Sequence, residues 1–181
     1  MDKNSQTPIL EVKNLKQYFY PSRKFTVKAV DGISFKIMPG ETYGLVGESG
    51  SGKSTTGRAI IRLYDPTDGQ IIFEGEDITG KMSNKALKTL RTKMAMIFQD
   101  PMTSLDPTMT IAKQIMEPMI EHRHMTKEEA RQRALDLLTK VGIENPEKRM
   151  KQYPHELSGG MRQRVVIAIA LACNPEILIC D

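Results

Sequence analysis

The chain is poor in cysteine, has no long apolar run and carries no block of like charge, and each shortage removes a class of function. Only two of its 181 residues are cysteines, Cys173 and Cys180, and both sit inside apolar runs. Such a pair makes neither a disulfide framework nor a thiolate metal site; two buried thiols in a reducing compartment are expected. The N-terminal "MDKNSQTPILEV" holds no apolar h-region, so no secretory signal is expected. The longest apolar run, Val165 to Cys173, is too short to cross a bilayer, so a membrane role must come through a partner. Net charge is +4 with a pI near 9.0, but acidic and basic residues are interspersed. A nucleic-acid binder shows a denser basic stripe, and nucleic acid is not expected among the partners. Repeats and low-complexity linkers are also lacking.

What remains is a globular composition, 39% apolar and 27% charged, with length enough for a real core. "ILEVKNLKQYF" and "VKAVDGISFKIMPGE" alternate apolar and polar residues and break at Gly or Pro, as half-buried strands do. "TYGLVG" predicts a short strand running into a glycine loop, and Lys53 to Leu63 a helix stopped by "YDPTDG". "QIIFEGEDI" reads as a strand, "SNKALKTLRTK" as a helix and "MAMIFQ" as a buried strand. After Gln99 strand signals stop. "TIAKQIMEPMIEH" and "TKEEARQRALDLLTKVG" carry helical periodicity, with Thr126 the N-cap of the second. "LSGGMRQRVVIAIALAC" is a helix that turns apolar all round and so should be buried, and "EILICD" a final buried strand.

Two stretches carry chemistry. In "GESGSGKST", Gly47, Gly52, Lys53 and Ser54 satisfy G-x-x-x-x-G-K-[ST], with a predicted strand before and a helix after. Small residues (Glu48 apart, Ser49, Gly50 and Ser51) let successive backbone N–H groups of the Gly47–Thr55 loop turn inward around phosphate oxygens, and the following helix points its positive end at the same anion. Lys53 supplies charge for the β- and γ-phosphates, and the Ser54 hydroxyl can ligate Mg²⁺. The second stretch is "LSGGMRQR", where Ser158 is an N-cap and Gly159 and Gly160 leave backbone N–H groups uncovered. One nucleotide already has a cradle at Gly47–Thr55. The economical resolution is a dimer in which Ser158 and Gly160 of one subunit contact the γ-phosphate held by the other.

"LSGGMRQR" resembles the signature of ATP-binding-cassette (ABC) ATPases, and its distance from "GESGSGKST" fits that family. The wider wording ("KAVDGISF", "IFQDPMTSLDP", "ELSGGMRQRVVIAIALACNP") resembles the ATPase subunits of bacterial oligopeptide, dipeptide and nickel importers, from about Leu10 to Asp181. The resemblance implies an α/β fold: a P-loop NTPase (RecA-like) core with an N-terminal antiparallel β part and an inserted helical subdomain, C-terminally incomplete. Residues 1–98 and 161–181 would form the discontinuous, incomplete nucleotide-binding core and 99–160 the helical subdomain carrying the signature at its end. It also implies that ATP and Mg²⁺ are the cofactors. Phe19 matches the aromatic that stacks on adenine; Tyr18 is the alternative, and an ordinary strand-core residue the plain reading. Gln99 matches the glutamine that touches Mg²⁺ and the attacking water, and Asp181 the carboxylate that holds the metal's water shell.

The same resemblance places the chain on the cytoplasmic side of the cell membrane, peripherally, powering import of oligopeptides or dipeptides. Its partners would be a second ABC ATPase subunit, identical or paralogous, and transmembrane permease subunits reached through the 100–120 region. Met102, Met109, Met116 and Met119 would offer permeases an adaptable apolar surface, or else simply pack the helical subdomain. His122 and His124 do not face one another on a helix and are expected to be solvated. In the family a glutamate follows the Asp181 equivalent, and later come a γ-phosphate-sensing histidine and further core strands. None lies in 1–181, so weakened or absent turnover is expected of this chain. A nucleotide-binding fragment without hydrolysis and a soluble ABC protein uncoupled from transport are the rival readings.

Overall fold

A computed structural model describes residues 7–181. The chain divides into two compact units, one running to Leu87 and one spanning Lys88–Asp181.

The first unit is built on a hairpin of two thirteen-residue strands, β1 (Leu10–Ser22) and β2 (Phe25–Ile37). β3 (Asp68–Phe73) and the short β4 (Glu76–Asp77) extend it antiparallel in the order β2-β1-β3-β4. Glu74 and Gly75 join the last two with both φ positive (51° and 82°), the two-residue turn whose twist matches that of its strands. Alternation puts Leu10 and Val12 into the core and then breaks at Asn14, whose φ is 46°. Val12 pairs with Phe35 but Leu15 with Ile33, so the sheet has a β-bulge. The extra residue restores the inward phase at Leu15 and Gln17, both buried. A neighbouring glycine is tied to it: a Cβ on Gly69 (φ +91°) would lie 2.4 Å from the Asn14 carbonyl oxygen. Burial of each of Leu10, Leu15 and Ile71 contributes about 1.5–3 kcal/mol.

Helix α1 (Lys53–Ile60) buries Thr56, Gly57, Ala59 and Ile60. It is shorter than the expected 53–63 because Arg62 enters the left-handed region (φ 58°). The strand expected over 42–47 does not form. Residues 41–48 make no ladder, and Leu45 and Val46 are 42% and 90% exposed. A strand needs a neighbour for its N–H and C=O groups. No strand among the described residues pairs with this segment.

The second unit takes in the end of α2 (Asn84–Lys93) and two parallel strands, β5 (Met94–Ile97) and β6 (Ile177–Cys180), paired from Met94↔Ile177 to Ile97↔Cys180. Between them run α3 (Pro101–Ser104), α4 (Ile111–Arg123), α5 (Lys127–Lys140), α6 (Pro146–Arg149) and α7 (Gly159–Leu171). Ile111, Ile115 and Met119 of α4, Ala130, Ala134, Leu137 and Leu138 of α5, and Val165 and Ala168 of α7 form one core. Helix α5 starts at Thr126 as expected, through a capping box. The Glu129 N–H donates to Thr126 Oγ1, and Thr126 N–H to the Glu129 carboxylate at 2.8 Å.

Two expectations of burial are corrected. Strand β6 is alternately half-buried and exposed, with Leu178 39% exposed, and Cys180 is exposed. In a two-stranded sheet β6 has a ladder partner on one side only. Cys173 is buried, as expected, and that burial raises its thiol pKa. Helix α7 buries Val165, Val166 and Ala168 but leaves Ile167, Ile169 and Ala170 only half-buried.

Candidate functional site

The glycine loop stands open in the first unit, with residues 47–51 exposed and 52–55 half-buried. Its shape is glycine chemistry. Gly50 and Gly52 take φ +81° and +91°, and a Cβ on Gly52 would lie 2.2 Å from the Ala29 carbonyl oxygen of β2. A Cβ on Gly47 would lie 2.5 Å from Ser51 Oγ. Gly52 is the N-cap of α1 without a side-chain cap, so the first N–H groups of that helix lack an internal acceptor. Lys53 folds back along the loop, its Nζ donating to the Gly47 and Glu48 carbonyls at 2.8 and 2.7 Å. An anion in the loop would compete with those carbonyls for the ammonium. Lys53, Ser54 and Thr55 open the helix, and Thr56 Oγ1 donates to the Gly52 carbonyl at 2.9 Å, closing the turn.

Sequence reading missed what lies under and behind this loop. Ala29 and Val30 are the floor beneath Gly52. At the far end of α1, Arg62 is buried; its guanidinium donates to the Ile78 and Gly80 carbonyls and pairs with Asp65 at 2.6 Å. Nothing in the sequence signals it, since a lone arginine after a helix advertises neither its left-handed backbone nor the carbonyls that it meets.

The two candidate aromatics part company. Phe19 pairs with Val27, on the same face as the buried pair Gln17–Val30, and packs edge to face on Tyr64, centroids 5.3 Å apart. Tyr18 lies on the other face. Its hydroxyl donates to the Asp31 carboxylate, and Lys28 Nζ sits 5.3 Å from its ring centroid. That hydrogen bond raises the Tyr18 phenol above its ordinary pKa and holds the Asp31 carboxyl below its own.

In the second unit Gln99 and Asp181 fall at one end of the parallel pair. Ile97 pairs with Cys180, so Gln99 stands two residues beyond β5 and Asp181 one beyond β6; both are exposed. The Asp181 N–H donates to the Ile97 carbonyl at 3.0 Å. Carboxyl ends of parallel strands are where α/β folds collect ligand-binding groups.

Ser158 caps the thirteen-residue helix α7, its Oγ accepting from the Met161 N–H at 3.4 Å. Ser158, Gly159 and Gly160 are exposed, and a Cβ on either glycine would meet nothing within 4 Å. The approach to this helix is fixed. Leu157 is buried, the Tyr153 N–H donates to Glu156 at 2.7 Å, and Arg162 Nε reaches the Pro154 carbonyl at 2.8 Å. Of the four methionines, Met119 is fully buried and Met116 packs against the core. The Met102 side chain lies outside the described residues.

Comparison with known proteins fits this geometry. A family model described as "ABC transporter" matches residues 30–181. The chain is 53% identical over 178 residues to the oligopeptide transport ATP-binding protein AppD of Bacillus subtilis strain 168, covering 96% of this chain and 54% of the relative. To OppF of the same organism, likewise named an oligopeptide transport ATP-binding protein, it is 54% identical over 174 residues, covering 96% and 56%. The chain thus spans about half the length of the curated relatives it matches. Among solved structures it is similar to the ATP-binding cassette MJ0796, seen as a dimer in a post-hydrolysis state with ADP and Pi. The TM-score is 0.86 at 32% identity, over 95% of this chain and 73% of that one.

Proposed function

The chain belongs to the ABC transporter family, and on that premise we propose that it is an ATP-binding, ATP-hydrolysing subunit that powers import of oligopeptides or dipeptides. One observation carries the reading. The same chain presents two helix starts able to take an anion: the glycine-shaped start of α1 with Lys53, and the exposed Ser158–Gly160 start of α7. A single triphosphate in the first leaves the second for a nucleotide held by another subunit, identical or paralogous. The dimer of MJ0796 with ADP and Pi supports that arrangement.

The residues fit the implied cofactors. The Gly52 close approach leaves room for backbone and none for a side chain, as a phosphate cradle requires. Ser54, Gln99 and Asp181 offer a hydroxyl, an amide oxygen and a carboxylate, the hard oxygen donors that suit Mg²⁺. When bound, Mg²⁺ supplies charge neutralisation on the phosphate oxygens. Gln99 would orient a water, its amide accepting from one group while donating to another. Phe19, on the α1 face of the hairpin, would stack the base. We assign residues 1–98 and 161–181 to the nucleotide core and 99–160 to the helical subdomain. No helix among the described residues is long and apolar enough to cross a membrane. Attachment to the cytoplasmic face would run through permease subunits docked on the 100–120 region.

The test is a calorimetric ATP–Mg²⁺ titration with phosphate release measured in parallel. Saturable binding abolished by Lys53→Ala is expected, and binding indifferent to that change would overturn the assignment. Phosphate release separates a hydrolysing subunit from a nucleotide binder without turnover, and co-purification with a permease rather than with ribosomes separates transport from a soluble role.

A further inference from the structure

The loop between Leu105 and Thr110 contains few apolar residues, yet it is tied down from within. Gln114 of α4, buried at 8% exposure, spends its amide on that loop. Its Oε1 accepts from the Asp106 N–H at 2.9 Å, and its Nε2 donates to the Asp106 and Met109 carbonyls, each at 2.9 Å. Asp106 closes the loop's own turn, accepting from the Thr108 N–H at 2.8 Å and the Thr108 hydroxyl at 2.6 Å. The start of α4 is joined elsewhere. With Thr110 giving no side-chain cap, the Ile111 N–H donates to the Gln152 carbonyl and the Ala112 N–H to that of Met150, both at 2.9 Å. One residue after Gln152 begins the Tyr153–Glu156 turn, and that turn leads through buried Leu157 into Ser158. Backbone and amide bonds therefore run without a break from the loop to the start of α7.

We propose that Gln114 is a positioning residue that fixes the 105–110 loop on α4, whose first turn is itself bonded to Met150 and Gln152, so that a displacement of the loop is passed through α4 to the Ser158 helix start. The chemistry favours a fixed linkage over a chance contact. An amide buried among two carbonyls and an N–H is costly to leave half satisfied, and each partner lost is a buried polar group without a bond. The consequence for transport rests on the reading of the 100–120 region as the permease-docking surface; the linkage itself does not.

Hydrogen exchange on the chain tests the linkage. Gln114→Met keeps the volume and removes all three bonds. Exchange at Met109, Ile111 and Ala112 should then quicken on the order of tenfold, and so should exchange at Glu156, Leu157 and Met161. Ala130 and Val141, in and after α5, should stay protected. Acceleration confined to 106–112 would overturn the proposal, because a merely local role moves only the loop. Should Ala130 and Val141 also be exposed, the unit has unfolded, and Gln114→Glu, which keeps the acceptor for Asp106, is read by the same criterion. A permease cross-linking assay on the Thr108→Cys variant addresses the docking reading separately. Failure there with the exchange pattern intact removes the docking surface and leaves the linkage standing.

Discussion

Two helix starts in one chain solve the same electrostatic problem in opposite ways. Helix α1 begins at a left-handed glycine with no side-chain cap, and its cation is a mobile lysine resting on loop carbonyls. Helix α7 begins at a serine that satisfies its own helix, with a buried leucine behind it and uncrowded glycines after it. On the proposed reading the first is a receptacle, shaped by close backbone approach, for a highly charged group. The second is neutral and already capped, with buried Leu157 before it, and on the proposed reading it contacts a group bound elsewhere. Helix α5, closed by a threonine and a carboxylate, is the purely structural third case.

The sharpest way to break the contrast is Gly52→Ala. With φ at +91° and the Ala29 carbonyl 2.2 Å from the new Cβ, the loop must shift. ATP affinity should fall by about 100-fold or more, read by titration with a fluorescent nucleotide. Ser158→Ala should leave monomer affinity within about twofold while abolishing ATP-driven dimerisation in sedimentation, at a cost to α7 of about 1 kcal/mol. Equal losses of monomer affinity in the two variants would mean that the starts are not divided as receptacle and contact. The smallest effect belongs to α5. Hydrogen bonds from Thr126, side chain first and then backbone, hold the Glu129 carboxyl below its ordinary value of 4.5. That stabilisation is present above the ordinary value and is lost as pH falls through the lowered one. Glu129→Gln should therefore flatten the acid limb of urea midpoints measured between pH 7 and pH 3. An unchanged acid slope would remove the carboxylate from the cap.

Local features were the legible ones. Thr126 and Ser158 announce helix starts because a cap is decided by a few adjacent residues, and the glycines of 47–52 announce a tight loop for the same reason. Long-range pairing was not legible. "TYGLVG" reads as a strand by composition, but a strand exists only with a partner, and Val46 is left 90% exposed. "EILICD" reads as buried, yet β6 has β5 on one side only. At the candidate site, the tight glycine turn of 47–52 could be read outright. Its floor at Ala29, the opposite surroundings of Tyr18 and Phe19, and the Gln114 clamp could not, because each depends on which distant segment folds against it.

The single surplus residue at Asn14 sets more than a kink. Every side chain downstream on β1 owes its orientation to its standing outside the alternation, so that if Asn14 were paired as an ordinary strand residue the end of the hairpin would be rotated by half a repeat. The phenol now engaged with Asp31 would be presented beside Tyr64, and the phenyl ring would be sent outward in its place. Which aromatic lies beside Tyr64 is thereby decided five residues upstream, by whether one backbone residue joins the ladder and not by the identity of either ring.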